Sequence, residues 1–285
     1  MNTTVMRVVV LGASGPVGRR LCARLLGNPA FCVVAVRRPG RVPVPGIENV
    51  SIGISAEDSP RRLAELRPDA IVSAAPLFAV SGLLGELVQR YAIRVVACSS
   101  MSAVAKVDSL VPADRHIAAL LLAGEAGLVG AQGPVPPLII RPTMIYGDAA
   151  TGNVARIQRF ARKYGFLPSP STRGGLRQPL HAEDLAAALV AALRPGGPSG
   201  VMELGGGSRL RFAEIIEVIA RSEGARIVKV PSSGARLIGR MAGMLRLPGA
   251  GALYRLSQDQ IADNRCAEAE LGVQPRPFRL LREEA

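Results

Sequence analysis

A short apolar run, Arg7–Leu11, leads into Gly12-Ala13-Ser14-Gly15-Pro16-Val17-Gly18, and Pro16–Leu26 then has helical spacing with Val17, Leu21 and Leu25 on one face. Glycine at these places does specific work. The first permits a tight turn, the second lets backbone approach a pyrophosphate, and the third lets the helix pack on the strand. Amide N–H groups at the helix start, aided by the positive end of its dipole, then bind phosphate. Gly12, Ser14, Gly15, Pro16, Val17 and Gly18 are therefore the expected dinucleotide-binding residues. The residue that reads the adenine ribose lies roughly 20 positions on. An acid there would hydrogen-bond the 2′-hydroxyl of NAD. This chain has Arg37-Arg38 at the end of its second strand, with no Asp or Glu nearby. Arginine pairs with a 2′-phosphate, bidentate and charge-assisted, so NADP is expected over NAD; the plain alternative is a pair of solvated surface arginines.

The elements that must position these groups alternate along the chain. Apolar runs at Arg7–Leu11, Phe31–Val36, Val50–Ile54, Ala70–Ala74, Arg94–Cys98 and Leu138–Arg141 read as strands. Helical patterns at Pro16–Leu26, Pro60–Leu66, Ser81–Tyr91 and Ala113–Leu128 separate them, which means βαβ crossovers and a parallel sheet. After Gly147 the rhythm changes: a basic helix Asn153–Tyr164, a Pro/Ser/Gly loop Gly165–Gly175, helices Ala182–Leu193 and Phe212–Ser222, and a short strand Val201–Leu204. The expected fold is α/β, a Rossmann-type doubly wound parallel sheet with a small, interleaved C-terminal substrate lobe. Residues 1–148, continued by 181–205, would form the dinucleotide domain; 149–180 and 206–285 would form the lobe.

Composition excludes several classes. The basic residues number 35 against 22 acids, and only Lys106, Lys163 and Lys229 are lysines. A coding bias toward Arg explains Arg over Lys but not the shortage of acids, so an anionic partner stays open. Nucleic acid is not expected, because no dense Lys/Arg stripe is interleaved with stacking aromatics. Cys22, Cys32, Cys98 and Cys266 form no CxxC pair and are expected to be reduced thiols, mostly buried, in a cytoplasmic protein. With His116 and His181 the only histidines, no metal site is expected. The start of the chain has no secretory pattern, and the longest uncharged run, Ala70–Gly85, is too broken to span a bilayer.

The GxxGxxG spacing resembles the extended short-chain dehydrogenase/reductase superfamily, in particular its epimerase/dehydratase branch. The likeness continues in order: Arg141-Pro142-Thr143-Met144-Ile145-Tyr146-Gly147, then Gln178-Pro179-Leu180-His181-Ala182-Glu183-Asp184-Leu185, Glu203-Leu204-Gly205-Gly206, and Leu271 to Phe278. The resemblance implies that Ala74, Ala75, Ser99, Pro142 and Thr143 also line the cofactor. It implies that Arg177 and Arg156, with Arg159 beside it on the basic helix, face an anionic substrate, nucleotide-linked ones included.

The superfamily's proton-transfer pair is Tyr-x-x-x-Lys, a tyrosine acid/base whose pKa the lysine lowers. None of Tyr91, Tyr146, Tyr164 or Tyr254 has a lysine four residues on. By position the pair falls near Ile117 and Leu121, in the helix that ends with Glu125. The superfamily's serine or threonine falls at Met101, so Ser102 or Ser100 would have to substitute; a serine turn capping the strand is the alternative. His181, with Glu183 and Asp184 beside it, and Tyr146 are the other groups able to move a proton; a helix start with acids in its first turn and a packed loop tyrosine are the alternatives. Two functions follow. One is an oxidoreductase-like enzyme of the epimerase/dehydratase type acting without the Tyr-x-x-x-Lys pair. The other is a non-catalytic dinucleotide-binding regulator or accessory subunit. The stretch 224–258, with six cations and no acid, adds a membrane surface or a protein as a partner.

Overall fold

The computed structural model describes residues 5–40, 42–109, 111–147, 152–170, 174–230 and 258–280. Through the first half the elements are β1 (Met6–Leu11), α1 (Pro16–Leu26), β2 (Phe31–Arg37), β3 (Glu48–Ser51), α2 (Ser59–Glu65), β4 (Ala70–Ser73), α3 (Leu77–Arg90), β5 (Arg94–Cys98), α4 (Ser102–Ala105) and α5 (Pro112–Val129). There follow β6 (Leu138–Pro142), β7 (Ile145–Tyr146), α6 (Gly152–Tyr164), β8 (Phe166–Pro170), β9 (Leu176–Arg177), β10 (Leu180–His181) and α7 (Ala182–Ala191). The last are β11 (Gly200–Leu204), β12 (Leu210–Arg211), α8 (Phe212–Glu223), β13 (Arg226–Val230) and α9 (Arg265–Leu271).

Seven parallel strands form the central sheet in the order β11-β6-β5-β4-β1-β2-β3. The first strand shows why its sequence is a continuous apolar run. Val8 and Val10 face one core layer with Leu21 and Leu25 of α1 and Leu185 and Leu189 of α7. Val9 and Leu11 face the other, with Leu84 of α3 and Leu128 of α5. Side chains alternate across a strand, so a sheet covered on both faces needs apolar residues at every position. The winding reverses between β1 and β4, which opens a crevice at the carboxyl ends of those strands.

The sheet is the doubly wound one expected from the alternation, and its boundaries differ in instructive places. α3 begins at Leu77 rather than Ser81, directly after Pro76, whose extended backbone ends the preceding turn. The third strand is Glu48–Ser51, polar and half-exposed at the sheet edge, rather than Val50–Ile54. The stretch Gly165–Gly175, expected to be loop, contains β8, which pairs in parallel with β13. Among the described residues β8 has a strand on one side only, which tolerates Pro168 and Pro170. These two strands, α6 and α8 enclose a third apolar cluster with Val154, Ile157, Phe160, Leu167, Ile215 and Ile219, closed by Tyr146 and Phe278. Of 224–258, only the part through Val230 and Gln258 are described, so the rest of that amphipathic stretch lies outside the described residues.

Candidate dinucleotide site

Gly12 turns the chain at φ +76°, and a Cβ there would lie 2.8 Å from Ala75 N and 2.9 Å from the Ala74 carbonyl carbon. The ends of β1 and β4 are thus in backbone contact, with Ala74 N donating to Leu11 O at 2.9 Å. Gly18 is tighter still: a Cβ would sit 2.1 Å from Gly12 O and 2.7 Å from Ala13 Cα. Any side chain at Gly18 would push α1 off the loop. Gly15 N donates to Gly12 O at 3.0 Å, and Pro16 opens α1 without an N–H. The N–H groups of Val17 and Gly18, in the first turn, have no acceptor within the helix. With Ser14 exposed above them, the helix start is shaped for an anion. Arg37 ends β2 half-buried and Arg38 follows it exposed, on the side of β1 where the adenine ribose of a dinucleotide would lie.

Glu125, on the buried face of α5, is 3% exposed and is the centre of a network that sequence reasoning missed. The Ser99 hydroxyl donates to its carboxylate. The Arg141 Nε lies 3.0 and 3.1 Å from its two oxygens. Hydrogen bonding to Glu125 holds the Arg141 guanidinium above its ordinary pKa. The signal was present: one acid within an apolar helix face and one arginine within Leu-Ile-Ile-Arg-Pro. Each charge is admissible there only with the other.

His181 and Tyr146 come together because β10 pairs with β7, residue against residue. Their rings meet edge to face at 5.0 Å, and Phe278 meets Tyr146 the same way at 4.8 Å. Both residues are 3% exposed. His181 caps α7, its Nδ1 accepting from Glu183 N at 3.1 Å. Its Nε2 faces Gly147, where a built Cβ would lie 2.4 Å away. A proton on Nδ1 would remove the cap. Glu183 pairs with Arg24 and, at 3.7 Å, with Arg20, whose guanidinium also donates to Gly147 O. Asp184 accepts from the backbone and the side chain of Arg276, each at 2.9 Å. The three polar residues of this helix start join α1, α7 and the C-terminal segment.

The fold has known relatives. A UDP-glucose 4-epimerase of Thermotoga maritima, solved with UDP-glucose, superposes with a TM-score of 0.74 at 16% identity, covering 95% of this chain and 94% of that one. The Bordetella bronchiseptica enzyme WbmG, in complex with NAD and UDP, gives 0.72 at 18% identity over 96% of this chain and 91% of that chain. A Bacillus cereus UDP-glucuronic acid 4-epimerase, in complex with UDP-glucuronic acid and NAD, gives 0.72 at 18% identity over 96% and 95%. The chain shares its fold with these proteins. No family model matches the sequence, and no curated protein does.

The positions expected to carry the proton-transfer pair are apolar. Leu121 is 5% exposed and packs in the core with Ala103 and Leu128, with Ile117 half-buried against the same cluster. Met101, at the position expected to carry serine or threonine, is buried. Ser102 opens α4, half-buried, with its N–H donating to the Ser100 hydroxyl at 3.1 Å.

Among the remaining site residues, Thr143 donates its hydroxyl to Gln178 O and its N–H to Leu204 O, and Pro142 O accepts from Met101 N. Gln178, also missed from sequence, accepts from Ala262 N at 2.9 Å and donates to Gly206 O at 2.8 Å. It ties the backbone at Ala262 to the end of β11. Arg177 is 4% exposed and donates to the carbonyls of Leu176 and Gln258. Burial pulls its pKa down to about 10, against the pull of Asp259. Arg156 is exposed on the outer side of α6.

Proposed function

We propose that this protein binds NADP(H) in the crevice between β1 and β4, with the pyrophosphate at the start of α1 and the 2′-phosphate at Arg37 and Arg38. The observation that carries the reading is the contact of Gly18 with Gly12 O, where no side chain fits. That close packing brings backbone donors to a bound phosphate, and the fold shared with the NAD complexes of WbmG and the Bacillus cereus epimerase supports it. The bound nicotinamide would supply or accept hydride. The chain's own residues would hold the ribose and phosphates and exclude water.

In this reading the protein is of the epimerase/dehydratase type, acting on a small anionic, nucleotide-linked substrate without the Tyr-x-x-x-Lys pair. The UDP ligands of the relatives support that substrate class. A specific observation favours a second reading, a non-catalytic dinucleotide-binding regulator or accessory subunit. Ile117, Leu121 and Met101 stand at the proton-transfer positions, and His181 caps a helix. Mass spectrometry of nucleotide released from the purified protein tests the shared claim. NADP⁺ or NADPH is the expected species; NAD alone, or a ligand that is not a dinucleotide, contradicts it.

A further inference from the structure

An open cavity of about 720 Å³ lies at the carboxyl end of β11, between the turn that follows this strand and the segment 261–268. It is separate from the crevice between β1 and β4, because β6 and β5 stand between β11 and β4. Its floor is built of close backbone contacts. A side chain at Gly206 would overlap Pro179 O, and one at Gly207 would overlap Pro275 O. Gln178, 4% exposed, bridges Ala262 N and Gly206 O. Asn264 clamps Gly205, accepting from its N–H at 2.7 Å and donating to its carbonyl at 3.0 Å. These two amides are spent on the protein's own backbone, so charged side chains are what the cavity offers a ligand.

Three acids, Glu203, Asp263 and Glu268, and two arginines, Arg209 and Arg265, line it. Acids outnumber bases here, in a chain with 35 basic and 22 acidic residues. Arg265 Nε lies 3.0 and 2.9 Å from the two carboxylate oxygens of Asp263, so those charges offset one another. Glu203 accepts from Asp263 N at 2.9 Å and forms no ion pair among the described residues. Glu268 forms none either. Arg209 donates to Ala262 O at 3.3 Å and has no carboxylate within ion-pair distance among the described residues. Two carboxylates and one guanidinium are left for a ligand.

That inventory selects by charge. A phosphate ester would meet the acids at close range, and a flat apolar ligand would find only Ile261 and Ala262. Among the described residues no group of His, Cys, Asp and Glu could hold a metal ion. A ligand with two cationic groups and one carboxylate matches all three free charges, each contact being charge-assisted. The volume is within the range of small-molecule sites. We infer that this cavity binds a free basic amino acid, its α-ammonium and side-chain cation meeting Glu203 and Glu268 and its carboxylate meeting Arg209.

The test is equilibrium dialysis of the full chain against radiolabelled L-lysine, cadaverine or L-norleucine, at low salt where exposed charges are least screened. Lysine is expected to bind. Cadaverine, which lacks the carboxylate, and norleucine, which lacks the side-chain ammonium, should each bind about tenfold more weakly, the loss of one charge-assisted contact. Arg209→Gln should weaken lysine about tenfold and leave cadaverine unchanged, whereas Glu268→Gln should weaken both. Both side chains are exposed, so both variants should keep the circular dichroism and urea midpoint of the parent. Three results overturn the inference: a parent protein that retains no lysine, cadaverine or norleucine retained as tightly as lysine, and variants at Arg209 and Glu268 that bind lysine as the parent does.

Discussion

Arg141 holds both carboxylate oxygens of Glu125 from the neighbouring strand, its Nε 3.0 and 3.1 Å away, and so fastens β6 to α5 inside the fold. A charge removed from such a pair leaves its partner buried and unpaired. Glu125→Ala should therefore cost about 3–5 kcal/mol of unfolding free energy in urea titration. Replacing both residues with leucine should cost less than the sum of the two single changes. A loss under about 1 kcal/mol for Glu125→Ala would mean the pair is solvated and does not fasten the strand.

Carbonyl reduction by the superfamily's tyrosine route should be absent. NADPH consumption with a panel of simple ketones and aldehydes is expected to stay at the uncatalysed rate, because Ile117 and Leu121 carry no proton. Rapid turnover that persists in Ser102→Ala, Tyr146→Phe and His181→Gln variants would show that another acid serves the site.

Burial pushes the Cys22 thiol up to about 11 and the Cys98 thiol up to about 12, which leaves both as unreactive thiols near neutrality. Cys32 and Cys266 are exposed. For Cys32 this corrects the expectation of a buried strand residue, since its side chain lies beside the Arg7 guanidinium at 3.5 Å. Iodoacetamide at pH 8 should label Cys32 and Cys266 in the native protein, with Cys22 and Cys98 labelled only after unfolding. Rapid native labelling of Cys98 would contradict the packing at the end of β5.

Burial raises the Glu223 carboxyl, but hydrogen bonds from Arg162 and Gln158 outweigh it and hold the pKa below its ordinary value. A carboxyl depressed in the folded state stabilises above its unfolded pKa and loses that contribution as pH falls through the folded one. Glu223→Gln should thus cost about 1 kcal/mol at pH 7. The gap between variant and parent should close as pH falls below about 4. A gap that is unchanged at low pH would assign the effect to packing.

How much of this was legible in the sequence depends on whether the cause was local. The strand–glycine–helix unit at Arg7–Leu26 was readable because turn, phosphate approach and close packing each demand glycine at a fixed spacing. The inner strands of the central sheet were readable because burial on both faces forces continuous apolar runs, whereas the polar edge strand β3 was misplaced. β8 was missed because its prolines argue for loop, and only pairing with β13, far along the chain, makes it a strand. The roles of Glu125 and Gln178 were missed for the same reason: their partners, Arg141, Ala262 and Gly206, are distant in sequence. His181 and Tyr146 were singled out for their chemistry, and the structure gives them a shared position that also caps a helix and closes the third apolar cluster.

The central claim is most directly tested by calorimetric titration of NADPH and NADH into the parent protein and into the Arg37→Ala, Arg38→Ala double variant. The account predicts tighter binding of NADPH by the parent, and a loss of roughly 1.5–3 kcal/mol of that binding in the variant with NADH affinity unchanged. Equal affinities in the parent, or an NADPH preference that survives both substitutions, would contradict it.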